Sequence, residues 1–408
     1  MGTTITPTPR SSFARYWAAA AISSFGSAVT GVAMPVLVVQ SLDATPFEVG
    51  VVNAAQLVPY ALLGLIAGVY TDRWRRRPIL VWASVGRALS LGMIPILWMV
   101  GALHIWILVG ILLVFGACSV FGFAATQSLL PRLVSRSHLV QANARLDQTD
   151  AAAQTLGPAL GGGFVGLLGA PVAIAVDAIS YLVDAALNAS VRVDESRSGS
   201  RPRNLRAEVR EGLQWTYRHR MLGPLAMSTH VWFLANGTAT TVLSLFALRS
   251  LGFTAFAFGL LLAALGIASL IGASVASWSA ARIGSRRVII LARAAYPIVW
   301  TPVAIAPATN TGHALVFAGL FLQGLAAGTE NANELGIWQA LTPDALLGRV
   351  NATRRSANRT VAAIGALTAG LVVGPAGYRT TLVGVIVLFA IAALVAAQSP
   401  LREAPGST

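Results

Sequence analysis

Twelve long apolar runs follow one another along the chain, each separated from the next by a short polar or arginine-rich break. They span 13–41, 47–71, 78–101, 105–130, 138–168, 170–192, 222–249, 255–281, 286–307, 312–340, 346–373 and 376–398. Each is long enough for an α-helix to cross a hydrocarbon core, which takes about 20 residues. The pattern predicts an all-α integral membrane protein with twelve transmembrane helices. Between the sixth and seventh runs the pattern changes. Residues 194–202 are polar and rich in Ser, Gly and Arg, and read as a flexible linker. Leu205, Val209 and Leu213 then recur at i, i+4, i+8 among Arg206, Glu208, Arg210 and Glu211. That spacing predicts an amphipathic helix lying along a membrane face. The chain therefore divides into a tail (1–12), a six-helix bundle (13–192), a linker (193–221), a second six-helix bundle (222–398) and a second tail (399–408).

The two halves echo each other. Arg76-Arg77 after run two matches Arg286-Arg287 after run eight, and Asn143-Ala144 matches Asn351-Ala352, both at about 210 residues' offset. Two pseudo-symmetric bundles of this kind are a transporter architecture, with the substrate site between the halves.

Composition narrows the class. The chain is 55% hydrophobic and only 11% charged, whereas soluble domains carry about 25% charged residues. A water-soluble fold, disorder and a coiled coil are excluded together. The net charge of +14 would suggest nucleic acid in a soluble protein. Here all 29 basic residues are arginine, and their placement sets orientation instead. With the N-terminus inside, one side receives Arg10, Arg15, Arg73, Arg75–Arg77, Arg132, Arg136, the set from Arg192 to Arg220, Arg282, Arg286, Arg287, Arg349, Arg354, Arg355 and Arg402. The other side keeps Arg249 and Arg379. This asymmetry follows the positive-inside rule and predicts that both termini are cytoplasmic, with no nucleic-acid partner. The short polar segment before run one is not expected to act as a cleavable signal peptide. The all-Arg, Ala-rich composition points to a GC-rich bacterial genome and so to a bacterial cytoplasmic membrane.

Enzyme chemistry finds no support. Without Lys there is no phosphate-binding loop of the Walker type. The five His are scattered, and the single cysteine, Cys118, leaves no disulfide framework and no multi-cysteine metal site. No cofactor is expected, and transport would draw on a gradient or on a separate ATPase subunit.

Several motifs carry more. The loop after run two reads Gly68-Val-Tyr-Thr-Asp72-Arg73-Trp74-Arg75-Arg76-Arg77. A carboxylate at a helix end followed by guanidiniums can build a charge cluster around helix termini, or it can simply set topology. Run five holds Gly157-Pro158-Ala159-Leu160-Gly161-Gly162. Proline there removes a helix hydrogen bond and the glycines admit a close neighbour, which is also what ordinary small-residue packing looks like. These motifs resemble the major facilitator superfamily. The first resembles its cytoplasmic loop signature, with Arg75 where a second glycine is usual, and implies a cytoplasmic gate of Gly68, Asp72, Arg73, Arg76 and Arg77. The second resembles the motif of antiporting members, here Gly157, Pro158, Gly161 and Gly162, and implies export. The series Leu129-Leu-Pro-Arg132, Gln141-Ala-Asn-Ala144, Asp177-Ala-Ile-Ser-Tyr181, Glu211-Gly-Leu-Gln-Trp215 and Arg218-His-Arg220 is similar to the subfamily of enterobactin exporters and macrolide efflux proteins. The superfamily's usual arginine in span four is absent, where Phe115–Ser119 stand instead.

Ionisable groups within a membrane mark function or a buried pair. Arg87 in span three and Asp184 in span six fall at similar depth, about 13 Å in at 1.5 Å per residue, and could form a buried ion pair. Asp177 and Asp184 stand seven apart with Tyr181 between them, and are also candidates for proton coupling. Arg293 in span nine has no obvious partner. Asp147 and Asp150 are expected to cap the start of span five. The resemblance implies that spans one, four, seven and ten line a central cavity. Glu330 in span ten, near mid-depth, is the leading candidate for proton coupling, and Glu334 for a gate partner. His230 in span seven carries an imidazole with an ordinary pKa of about 6.5 and is a further candidate. Ser27 with Ser23 and Thr30, Phe123 and Gln127 with Ser119, and Trp232 and Asn236 with Phe233 complete the expected cavity lining. The expected function is export of a small amphipathic molecule (drug, siderophore or metabolite) by proton antiport with alternating access. The protein is expected to be a monomer in the bilayer. An importer or facilitator on the same fold, or a membrane sensor that moves nothing, are the alternatives.

Overall fold

The computed structural model describes residues 9–193 and 205–399; within them the side chains of 9–11, 65, 68–73, 136, 205, 206 and 345 lie outside the description. All regular structure among the described residues is helical. The first bundle holds α1 (Pro9–Val36), α2 (Pro46–Arg73), α3 (Arg76–Met99), α4 (Ile105–Leu133), α5 (Leu139–Leu168) and α6 (Ala170–Ser190). The linker helix is α7 (Leu205–Arg218). The second bundle holds α8 (Leu222–Leu245), α9 (Ala255–Ile283), α10 (Ser285–Ile305), α11 (Asn310–Leu341) and α12 (Asp344–Gln398). The flexible linker expected at 194–202 falls outside the described residues, as do most of both tails.

Among the described residues, eleven helices are long and apolar enough to cross a membrane. The last, Leu346–Gln398, is 53 residues long, or about 80 Å of straight helix against a core of about 30 Å. It is not straight. Gly377 sits at φ 79° and ψ 170°, a backbone conformation open to glycine and strained for any side chain. It folds α12 back into two arms, 344–376 and 378–398, which makes twelve passes. The fold is the expected all-α one.

The internal repeat extends to backbone detail. α1 and α8 each end in a π-helical turn, Leu37–Ser41 and Phe246–Ser250. A left-handed residue follows each, Asp43 (φ 46°) and Gly252 (φ 68°). Gly169 (φ 84°) breaks the chain between α5 and α6 as Gly377 does between the arms of α12. The arginines after the second span of each half share a task. Arg77 donates to the carbonyls of Asn188 (3.3 Å) and Ala189 at the end of α6. Arg286 donates to Ala397 (3.4 Å) and Ser399 (3.3 Å) at the end of α12. Cations belong at such carbonyl-rich helix ends.

Within each half, α3 packs on α4 and α6, and α1 on α5 and α6; correspondingly α10 packs on α11 and α12, and α8 on α12. Between halves, α2 meets the first arm of α12 and α5 meets α9. Glycine makes both seams. Cβ atoms added to Gly50 and Gly370 would lie 3.0 and 3.1 Å from each other's Cα, and Gly162 and Gly259 oppose each other in the same way. Large apolar side chains such as Trp82, Leu89, Trp106, Leu167 and Ile298 point outward, as a lipid-facing surface requires.

Candidate functional site

The seams close the molecule on the face away from α7. There Arg249 bonds Asp43 at 2.8 Å and the Val39 carbonyl at 3.2 Å, and Gln40 reaches the Phe253 carbonyl at 3.4 Å. On the α7 face the halves separate around a cavity of about 980 Å³. Tyr60, Val120, Phe123 and Gln127 form its first-half wall, and Trp232, Phe233, Tyr296, Glu330 and Asn331 its second-half wall. Glu208 and Val209 of α7 and Arg349 and Asn351 of α12 stand at its rim. Arg349 ties the rim together, bonding Glu208 at 3.3 Å and also Glu211. A second pocket of about 490 Å³ lies within the first half and shares Tyr60 and Phe123 with the cavity. Ser27 and Thr30 line that pocket, with Arg87, Ser119, Asp177 and Tyr181. Of the residues expected to line the central cavity, Phe123, Gln127, Trp232, Phe233 and Glu330 do so. Ser27 does not, because α1 faces the smaller pocket, and Asn236 lines neither.

A buried charge network forms the floor of the second-half wall. Arg293 is 1% exposed at its side chain. Its Nε donates to Glu330 at 2.6 Å, and its Nη2 donates to Glu334 at 2.7 Å and Thr229 at 2.8 Å. Nη1 donates to Ser228. Glu334 also accepts from Arg354 (2.8 Å), Thr229 (3.0 Å) and Trp338 (3.2 Å), while the Arg354 guanidinium lies 3.8 Å above the Trp338 ring. The expectation that Arg293 stands alone is thus corrected. Two guanidiniums here meet two carboxyl groups. Glu330 keeps one oxygen without a hydrogen bond.

The first half has a sparser counterpart. Arg87 lies 3.7 Å from Asp184 and donates to Ser84, which itself bonds Asp184. The Arg87 guanidinium covers the Tyr181 ring at 4.2 Å, and Tyr181 shares a 2.7 Å bond with Ser27. Asp177 accepts from Thr30 at 2.6 Å and Ser180 at 3.0 Å. One guanidinium serves two carboxyl groups in this cluster.

His230 has neither ring nitrogen free. Nε2 is 2.8 Å from the Tyr217 hydroxyl on α7, and Nδ1 is 2.8 Å from Asn358 Oδ1 on α12. Partial burial pushes the Tyr217 hydroxyl above its ordinary pKa, so it stays a donor. His230 therefore ties the linker helix to the cavity wall.

The glycine motif in α5 is divided between two neighbours. Cβ atoms on Gly157 and Gly161 would strike Ala28 and Val29 of α1, whereas one on Gly162 would lie 2.7 Å from the Ala255 carbonyl of α9. Pro158 presents its carbonyl to Gly259 across the same seam. Arg76 and Arg77 open α3; Gly68, Asp72 and Arg73 lie at the end of α2, where side chains are outside the description. Asp147 and Asp150 do not cap α5. The helix begins at Leu139, which leaves both beyond its first turn, and the dipole acts only within that turn.

A family model described as transmembrane secretion effector matches residues 2–407. The chain belongs to this family of the major facilitator superfamily. The MFS-type transporter y4rN of Sinorhizobium fredii is 28% identical over 298 residues, covering 72% of this chain and 71% of its own length. The multidrug efflux pump Tap of Mycobacterium tuberculosis is 24% identical over 214 residues, about half of each chain. Among solved structures, the nucleoside transporter NupG superposes with a TM-score of 0.77 at 10% identity, covering 96% of this chain and 100% of its own. A bacterial homologue of the lysosomal transporter Spinster, inward-facing and unoccupied, gives 0.75 at 13% identity, with 98% and 100% covered. These likenesses agree on the fold. The protein is a multi-pass membrane transporter of small molecules, and not an enzyme.

Sequence reasoning missed two features of the site. It gave Arg293 no partner, although Glu330 and Glu334 lie at matching depth on the neighbouring antiparallel span. It also assigned Arg354 and Arg355 to the loop side, although both sit inside run eleven and line the cavity.

Proposed function

We propose that the protein is a proton-driven exporter of a small amphipathic molecule, standing here with its cavity open to the cytoplasm. The observation that carries the reading is the cavity between the halves, open on the α7 face and floored by carboxyl groups bonded to arginine. The arginine asymmetry supports a cytoplasmic α7 face, with both termini on that side of a bacterial cytoplasmic membrane. Substrate enters from the cytoplasm or inner leaflet, the halves rock about the glycine seams, and the closed face opens.

Glu330 is the coupling carboxylate in this reading. A proton on Glu330 removes one of the two charges holding Arg293 and loosens α11 from α10. Asp177 and Asp184, two carboxyl groups beside one guanidinium, form the second candidate proton site. His230 acts as a tie to the linker helix. The α5 motif supports export, as does the pump activity named for Tap, and the wider motif series supports kinship with enterobactin and macrolide exporters. The protein works as a monomer, since the cavity is complete within one chain.

The test uses inverted membrane vesicles with an acidified lumen, followed by a pH-sensitive quenching dye. Drugs and siderophores are added in turn. Substrate-induced proton release from the wild type, lost in Glu330→Gln while substrate binding persists, is the expected result. Unchanged proton release in that variant refutes the assignment of Glu330. Silence of the wild type, folded and reconstituted, across the whole panel refutes the antiport reading.

A further inference from the structure

The cavity carries a charge that the proton reading does not use. Arg355 and Arg359 line it from the first arm of α12. Both are exposed to it. They lie about 14 and 20 Å along the helix from Leu346 at 1.5 Å per residue, inside the span and away from its end. The other cavity arginines are matched: Arg293 by Glu330 and Glu334, Arg354 by Glu334, and Arg349 by Glu208 and Glu211. Arg355 and Arg359 meet no carboxylate among the described residues. Each faces an aromatic ring of the first half instead, Arg355 at 3.7 Å from the Phe123 centroid and Arg359 at 5.6 Å from that of Tyr60.

Such an arrangement is unfavourable without a counter-ion. Two like charges at i, i+4 share one helix face and repel. Cations within a span are costly and normally face a partner or a water-filled path. Arginines that only set topology sit in loops and at span ends. An anion between them removes the repulsion, and guanidiniums suit carboxylate and phosphate through paired N–H donors. The rings of Phe123, Trp232 and Phe233 border the same space and offer an apolar surface to the rest of the molecule.

We propose that the transported molecule is an amphipathic organic anion, its acidic group held by Arg355 and Arg359 and its apolar body set against Phe123 and Trp232. This rests on the exporter reading for transport, but not for binding.

The test uses three probes with one aromatic body: 1-pyrenebutyric acid, its neutral amide and the corresponding butylamine. Each is titrated against the full chain in nanodiscs of uncharged lipid, with empty nanodiscs subtracted. The acid should bind at least tenfold tighter than the amide, and the amine weakest. Arg355→Gln and Arg359→Gln should each weaken the acid about tenfold and leave the amide unchanged, and Arg355→Lys should restore most of the loss. Equal or tighter binding of the amide or amine overturns the proposal. So does a parallel loss for all three probes in the Gln variants, which marks the arginines as structural. Transport in vesicles separates the two readings. If the acid binds as described but is not pumped, the exporter reading fails and the anion site stands. If the amine is pumped and the acid is not, the anion site fails and export stands.

Discussion

Replacing Arg293 with methionine tests the charge network directly. The side chain is buried and makes bonds to Glu330, Glu334, Ser228 and Thr229. Removing one member of a buried pair costs about 3–5 kcal/mol, mostly because the partner is left charged and unpaired. The two carboxylates are not left alike. Glu334 keeps Arg354 at 2.8 Å and Trp338 at 3.2 Å, whereas Glu330 has no second arginine. Glu330→Gln alone leaves Arg293 bonded to Glu334 and should cost only about 1 kcal/mol, the worth of a typical hydrogen bond. The double variant Arg293→Met with Glu330→Gln removes the stranded carboxylate and should recover at least about 2 kcal/mol relative to Arg293→Met, roughly 30-fold in the unfolding equilibrium. Glu334→Gln should not rescue, because it strands Arg354 in turn. SDS-induced unfolding in mixed micelles, followed by tryptophan fluorescence, measures all four variants. If the Glu330 double variant is no more stable than Arg293→Met, or if Glu334→Gln rescues equally, the division of labour between the two carboxylates is refuted.

Three further outcomes follow from the contacts. Gly162→Ala places a methyl 2.7 Å from the Ala255 carbonyl and should spread the closed face, seen as a longer distance between spin labels at Ala102 and Ala308; an unchanged distance distribution contradicts the seam. Arg249→Ala removes a bond to an exposed carboxylate, Asp43 being 93% exposed, so the closed face should loosen by less than about 1 kcal/mol; a larger change in the same label pair refutes that ranking. Tyr217→Phe deletes the bond to His230 and should speed amide exchange across Leu205–Arg218 about fivefold, matching about 1 kcal/mol; exchange as slow as wild type shows the helix is held elsewhere.

Hydropathy is enough to read the all-helical, many-pass fold, because a span must be apolar over its whole length. The pairing of Arg87 with Asp184 could be reasoned from equal depth on antiparallel spans. The same argument applies to Arg293 with Glu330 and Glu334, but a boundary error of a few residues moves a group by about a turn. The lining of the cavity was less legible. Ser27 and Asn236 are on the expected spans, yet which face of a helix looks inward depends on packing between halves. Gly50 and Gly259, like Gly162 and Gly370, stand about 210 residues apart, the offset of the internal repeat, but single glycines in apolar helices carry no signal until their neighbour is known.

Those two glycine pairs have a mechanical meaning. Inside each half, Arg77 and Arg286 hook one helix onto the end of another, and buried charges lock neighbours by directed bonds. Across the seams, backbone meets backbone at the two glycine pairs, and the first seam is otherwise packed with undirected apolar contacts of Ala54, Ala363 and Ala366. Directed bonds resist rotation, while a smooth contact of CH₂ groups and carbonyls tolerates it. The halves are therefore stiff blocks on two matched bearings, and the pseudo-two-fold repeat puts those bearings on opposite sides of the cavity. A load applied at the charge network would turn one block against the other about the line joining them.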